Sequence, residues 1–204
     1  MERTTIGISG GSASGKTTLA NALAERLQAV VIRTDDYYRP MDHLSFEDRC
    51  RVNYDDPTLL DHELLFEHLQ RLQSGRAIEA PRYDFANHRR HDRRHVVLPQ
   101  KNVLIEGIFA LVYEPVRSLC HVRVFVETDM EECLRRRIDR DVKERGRDEE
   151  EVRSRFENQA TPMFREHLKP LRDMADVIVS GEVDIDLNVA AVLNILDERV
   201  RVPA

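Results

Sequence analysis

Gly10, Gly11, Ser12, Ala13, Ser14, Gly15, Lys16 and Thr17 fit the pattern GxxxxGK[ST], the composition of a loop that cradles phosphate. Its glycines let successive backbone N–H groups converge on phosphate oxygens, and a helix beginning at the lysine adds the partial positive charge of its N-terminus. Lys16 is then placed for the β- and γ-phosphates, Thr17 for Mg2+, and Thr18 for the same nucleotide-binding surface. From average residue usage the bare pattern arises in about 1% of unrelated chains of this length, which leaves a plain glycine turn as the weaker reading. Three carboxylates, Asp35, Asp36 and Glu106, lie at or just beyond the ends of short apolar runs. Phosphoryl transfer to an alcohol needs one acid to orient the hydroxyl and take its proton, and another to hold the metal. Spacing alone does not divide these roles; Asp35 or Asp36 could instead cap a turn, and Glu106 could belong to a buried ion pair.

A second cluster is basic. Met130, Leu134, Ile138 and Val142 recur at helical spacing, so the sequence predicts a helix that docks through this apolar face. Arg136, Arg137, Arg140 and Lys143 then fall on other parts of the helix, and Arg145 and Arg147 follow around Gly146. Such an arc suits a lid that stabilises transferring negative charge; the alternative is a solvated helix with Asp139, Asp141 and Glu144 as salt-bridge partners. His88, His91 and His95 have no carboxylate or thiol partner at ligand spacing, and a solvated loop is expected there rather than a metal site.

The elements that must position these groups follow from the apolar pattern. Thr4 to Ser9 reads as a strand running into the glycine loop, and Leu19, Leu23 and Leu27 as the helix after it. Ala29 to Ile32, Val103 to Ile105, His121 to Val126 and Asp176 to Val179 supply four more strands, separated by helical stretches such as Leu64, Leu65, His68, Leu69 and Leu72. The alternation predicts a doubly wound α/β sheet. Ala77 to Phe85 and His95 to Leu98 lie too close together for a helical crossover and predict an inserted β-hairpin with a polar loop. The chain closes on an apolar stripe of Ile185, Val189, Val192, Leu196 and Val200 behind a possible Asp184 cap.

A length of 204 residues suits one domain. No apolar run reaches the roughly 18 residues of a membrane span, and the first ten residues show no secretory pattern, so the expected compartment is the cytoplasm. Cys50, Cys120 and Cys133 are scattered, as reduced thiols would be. A net charge of −6 argues against a nucleic-acid coat, while the local basic clusters suit a small anionic ligand.

Over nearly its whole length the chain resembles the uridine kinase (uridine-cytidine kinase) family. The shared residues are TDDYY at 34–38, HLSFEDR at 43–49, NYDDP at 53–57, EHLQRL at 67–72, PRYDF at 81–85, LIEG at 104–107, RDVKERGRD at 140–148 and PMF at 162–164. The resemblance implies a single P-loop kinase domain over 1–204, with a five-stranded parallel sheet, a hairpin at about 77–98 over the nucleoside and a helical lid at about 135–150. It implies that ATP with Mg2+ phosphorylates the 5′-hydroxyl of a pyrimidine ribonucleoside, and that the protein is a homo-oligomer. By position, Asp35 matches the catalytic base and Glu106 a magnesium-site acid, with Asp35 also near the metal. Asp55 and Arg137 match ribose contacts; Tyr83, His88 and Arg147 match contacts to the base, with Phe85 beside them; Arg140 and Arg145 match phosphate-holding lid arginines.

The departures are specific. Arg155 stands where the family usually has a glutamine near the ribose, Phe156 replaces the following tyrosine, and Ser180 to Val183 replaces a Pro-Arg-Gly-Gly stretch. An arginine offers donors and no acceptor, so either a nearby acid answers it and Gln159 supplies the amide, or the acceptor is itself anionic. The competing functions are therefore a kinase for another small alcohol, such as a phosphorylated sugar, and a nucleotide-binding protein without turnover.

Overall fold

In the computed structural model, which describes residues 3–201, β1 (Thr4–Gly10) leads through the glycine loop into α1 (Lys16–Leu27), and β2 (Val30–Arg33) into one tight turn, Thr34–Tyr37. Next come α2 (Phe46–Arg51), α3 (His62–Gln73) and the short strands β3 (Ile78–Ala80), β4 (Tyr83–Asp84), β5 (Arg89–Arg90) and β6 (His95–Val97). Then follow β7 (Asn102–Glu106), α4 (Glu114–Ser118), β8 (Val122–Glu127), α5 (Met130–Arg145), α6 (Glu149–Arg155), α7 (Thr161–Met163), β9 (Val177–Ser180) and α8 (Ile185–Arg201). The sheet has the order β2-β7-β1-β8-β9 with every pairing parallel, so β1 is central and is buried along its whole length. Helices cover both faces, as parallel strands linked by crossovers require. On one face Leu19, Leu23, Val192 and Leu196 of α1 and α8 pack on Ile6, Ile8, Leu104 and Val124. On the other, Leu65, Leu69 and Leu72 of α3 and Val116 of α4 pack on Val103, Ile105 and Phe125.

Asp184 Oδ1 accepts the backbone N–H of Asp186 at 2.8 Å at the start of α8, the cap expected from sequence. The Val200 side chain lies outside the described residues. No helix among the described residues is long and apolar enough to cross a membrane.

The insertion is more ordered than one hairpin with a polar loop. β3 pairs with β6 and, further out, β4 with β5, so the expected first strand is split in two and the expected loop supplies β5 as the partner of its second half. Pro81, which lacks an N–H, lies between the two ladders. Three polar tethers hold the insertion against the rest: Asp36 Oδ1 accepts from Tyr83 N (2.9 Å), Arg90 donates to Asp61 Oδ2 and the Tyr37 carbonyl, and Arg49 Nε donates to the Asn87 carbonyl (3.2 Å). Asp36 is thus a tether and not a turn cap.

Helix α5 also differs from expectation. Its buried stripe is Cys133, Arg137 and Asp141, while Met130, Leu134 and Ile138 are half-buried and Val142 is 40% exposed. Met130 and Leu134 do pack, with Cys133, Phe156 and Ala160, but further along the helix burial passes to charged groups that neutralise one another. Beyond α6 the backbone widens into i→i+5 turns at Phe156–Ala160 and Phe164–Leu168.

Candidate active site

The carboxyl ends of β1, β2 and β7 converge because Ile8 and Arg33 are both in register with Glu106. The glycine loop leaves β1 there, Asp35 stands in the turn just after β2, and Glu106 is the last residue of β7. Thr17 Oγ1 donates to Glu106 Oε1 at 2.8 Å, and Lys16 Nζ donates to the Gly11 carbonyl at 3.0 Å. Ser14 Oγ, at the buried floor of the loop, has no hydrogen-bond partner among the described residues. Burial, and next the nearby Glu106 carboxylate, push Asp35 up to about 6; Lys16 and Arg145 pull the other way. A threonine hydroxyl beside two acids that crowd each other, with a lysine at the loop, fits a divalent cation carried on phosphate oxygens. No group of three or more His, Cys, Asp or Glu among the described residues forms a self-sufficient metal cage.

Two chambers meet at this edge. One runs along the glycine loop, past Ala13, Gly15, Lys16, Thr17, Thr18 and Arg136. The second lies under the insertion, lined by Tyr38, Tyr54, Asp55, His88, Arg137, Arg147, Arg155 and Gln159. Lys16, Thr17, Asp35, Tyr83, Phe85, Glu106, Arg140 and Arg145 line both. Gly11 and Ser12 border the cleft nearby, while Gly10 is the buried end of β1. The structure therefore brings the sequence-predicted residues to one cleft, except Gly10 and Ser14, which lie buried beneath it.

In the second chamber, Asp55 Oδ2 accepts from both terminal nitrogens of Arg137 at 3.4 Å, leaving its other oxygen unengaged by that arginine. The His88 ring stacks on Tyr54 with centroids 4.9 Å apart. Burial, then the charges of Arg147, Arg155, Arg145 and Arg49, hold His88 down at about 4, so its ring is neutral at pH 7 and offers one donor and one acceptor. Arg155 donates to the Cys50 carbonyl at 2.6 Å and pairs with Glu151 at 2.8 Å, so its charge is answered within the protein. The Arg145 guanidinium sits 5.1 Å from the Phe85 ring centroid and bridges the end of α5 to the insertion.

A glycine loop, an acid at the junction and an enclosed polar chamber beyond it are the parts of a phosphotransferase, and the sequence profile described as Phosphoribulokinase / Uridine kinase family matches residues 5–187. The chain belongs to this family. It is 41% identical to a uridine kinase of Vibrio cholerae over 85% of each chain. It is 39% identical to a uridine kinase of Staphylococcus haemolyticus over 90% of this chain and 92% of that one. The fold is also that of the phosphoribulokinase of Rhodobacter spheroides, with a TM-score of 0.65 at 12% identity over 88% of this chain and 70% of that one.

Membership of the family does not by itself account for three cleft residues that sequence reasoning left without a role. Tyr38 is 4% exposed and donates to the Tyr54 carbonyl at 2.8 Å, and both tyrosines wall the second chamber. Their places within TDDYY and NYDDP were the available signal. Arg136, read only as part of the basic arc, donates to the Gly181 carbonyl at 3.0 Å beside the glycine loop.

Proposed function

We propose that this chain is a uridine kinase, transferring the γ-phosphoryl group of ATP to the 5′-hydroxyl of uridine or cytidine to give UMP or CMP. The observation that carries this reading is the meeting of the two chambers at Asp35, between Lys16, Thr17 and Glu106 on one side and Asp55, Tyr83 and His88 on the other. Family membership and the uridine kinases among its relatives support it.

The backbone of Gly10 to Thr18 and Lys16 hold the triphosphate, with Arg140 and Arg145 neutralising the group in transfer. Thr17, Glu106 and Asp35 would hold Mg2+, which supplies positive charge to the phosphate oxygens. Asp55, partnered by Arg137, takes the ribose hydroxyls, and Tyr83, Phe85, His88 and Arg147 surround the base. Asp35 orients the 5′-hydroxyl; as its oxygen attacks the γ-phosphorus the proton passes to the Asp35 carboxylate, the new O–P bond forms, and the old one breaks to release ADP. The same reading makes the chain a single kinase domain, with its lid at about 135–150. It acts in the cytoplasm as a homo-oligomer, on a small molecule and not on nucleic acid or membrane, in keeping with its net charge of −6.

The deciding assay is ADP release from MgATP with uridine, cytidine, adenosine, ribose and ribulose 5-phosphate in parallel. Turnover is expected with the two pyrimidine nucleosides; turnover with ribulose 5-phosphate alone would replace this reading with a sugar-phosphate kinase. The pairing of Arg155 with Glu151 and Cys50 favours the nucleoside, because it leaves Gln159 to face the chamber as the amide. Arg155→Gln is accordingly expected to keep uridine turnover, whereas Gln159→Ala raises the uridine KM by about 3- to 10-fold, the value of one lost hydrogen bond.

His88→Ala is expected to raise KM for uridine and cytidine by about tenfold or more while the ATP KM holds. Because the ring is neutral above about pH 4, the ratio of the His88→Ala to the wild-type uridine KM should stay constant as pH falls from 8 to about 5, whatever Asp35 contributes to both. A ratio that changes through pH 6.5 would remove His88 from base recognition.

A further inference from the structure

The least exposed charged group among the described residues is Asp141, with none of its side chain accessible to solvent. Phosphoryl transfer as set out above does not use it. Four guanidiniums share its carboxylate: Oδ1 lies 2.8 Å from Arg140 Nε and 3.2 Å from an Arg145 terminal nitrogen, and Oδ2 lies 3.4 Å from Arg147 and 3.8 Å from Arg137 Nε. Arg140 and Arg147 hydrogen-bond the carboxylate, and Arg145 and Arg137 stand within ion-pair distance of it. The main chain converges on the same residue, whose carbonyl accepts the N–H groups of Gly146, left-handed at φ 62°, and Arg147. Asp141 thereby ends α5 and gathers side chains from both sides of the turn. Burial first, then the like charges of Arg140 and Arg147, depress the Arg145 guanidinium while Asp141 raises it, so the fan persists only while an anion holds it together.

We propose that Asp141 is the positioning residue of the lid, holding Arg140, Arg145 and Arg147 in the fan that faces Asp35 and His88. The catalytic value of the fan rests on the kinase reading; its geometry does not, and the test separates the two. Without Asp141 the arginines separate and the end of α5 leaves the cleft. Arg147 and Arg145 then no longer depress His88.

The experiment follows the His88 ring by NMR titration of the ligand-free protein for wild type, Asp141→Asn and, as a control, Asp139→Asn. Asp139 loses the same charge on the same helix but pairs with Lys143 at the surface. In Asp141→Asn the His88 pKa is expected to rise from about 4 toward its ordinary 6.5, by about 1 or more, with no change in Asp139→Asn. A fall or no change overturns the proposal, because removing a negative charge from arginines that stay in place lowers the value. In the kinetic arm kcat should drop by about 10²-fold, the effect of misplaced transition-state charges. Should Asp141→Asn fail to fold, Asp141→Glu keeps the charge one methylene further out; a kcat about tenfold lower is expected, and wild-type kcat overturns the proposal. If the His88 shift occurs but wild type phosphorylates no nucleoside, the lid assignment stands and the kinase reading falls.

Discussion

Asp35→Asn should lower kcat by at least about 10²-fold while the ATP KM changes by no more than about threefold. The variant keeps the volume and hydrogen-bonding reach of the side chain but cannot accept a proton, so the loss falls on the chemical step. Two further signatures distinguish a base from a structural acid. Asp35 is held up at about 6 in the ligand-free protein, and Mg2+ on the phosphates would lower it, so the acid limb of the wild-type kcat/KM for the acceptor should lie below about pH 6 and should be missing from Asp35→Asn. The sign of the stability effect is the second. The folded-state value lies above the unfolded 3.8, so the native state binds more protons between the two, and stability present below 3.8 is lost as pH rises through about 6. Removing the charge should therefore stabilise the protein at pH 7.5, by up to about 3 kcal/mol, in thermal melts without ligand. A variant that melts higher and turns over slower fits a base kept at a cost in stability; near-wild-type turnover would end the assignment. Asp36→Asn is the control: its amide oxygen can still accept from Tyr83 N, so only a small change is expected.

The second large effect is expected at Gly181, in the segment where the chain departs from its family resemblance. A Cβ there would overlap the Ser14 carbonyl oxygen and Thr128 Oγ1, and Thr128 Oγ1 already donates to that carbonyl at 2.8 Å. The obstacle is backbone of the phosphate loop, which cannot rotate aside as a side chain would. Gly181→Ala should destabilise the fold by about 2–3 kcal/mol and, by displacing the loop, raise the ATP KM by about tenfold or more, read by chemical denaturation and steady-state kinetics. Glu182→Gln, one residue on, keeps an oxygen for the Asp129 N–H it now binds at 2.8 Å and should leave both readouts close to wild type. Equal effects at the two positions would mean that the contact with Ser14 is not what requires glycine.

The sheet, the phosphate loop and the acids at its edge could be read from residues because each is a local pattern: apolar runs too short and too continuous for amphipathic helices, ended by glycine or by a carboxylate. The arginine-bearing helix was read half correctly. Helical spacing gave α5 its extent, but an apolar stripe was assumed to be its buried face, and Asp141 was weighed only as a surface partner. Burial of an acid among arginines is decided by charges from both sides of a turn, which no one-dimensional period records. Gly181 and Tyr38 were hidden for a similar reason. What each must touch lies far away in sequence: Ser14 for one, the residues around Tyr54 and Leu60 for the other.

The three tethers of the insertion bear on how such enzymes diverge. Asp36, Asp61 with the Tyr37 carbonyl, and Arg49 fasten it by polar links to residues outside the phosphate loop, and the strands of the main sheet do not pair with it. Substitutions in Tyr83 to His95 can therefore reshape the chamber under the insertion without disturbing the pairing of the main sheet, although Phe85 stays in contact with Arg145 of α5.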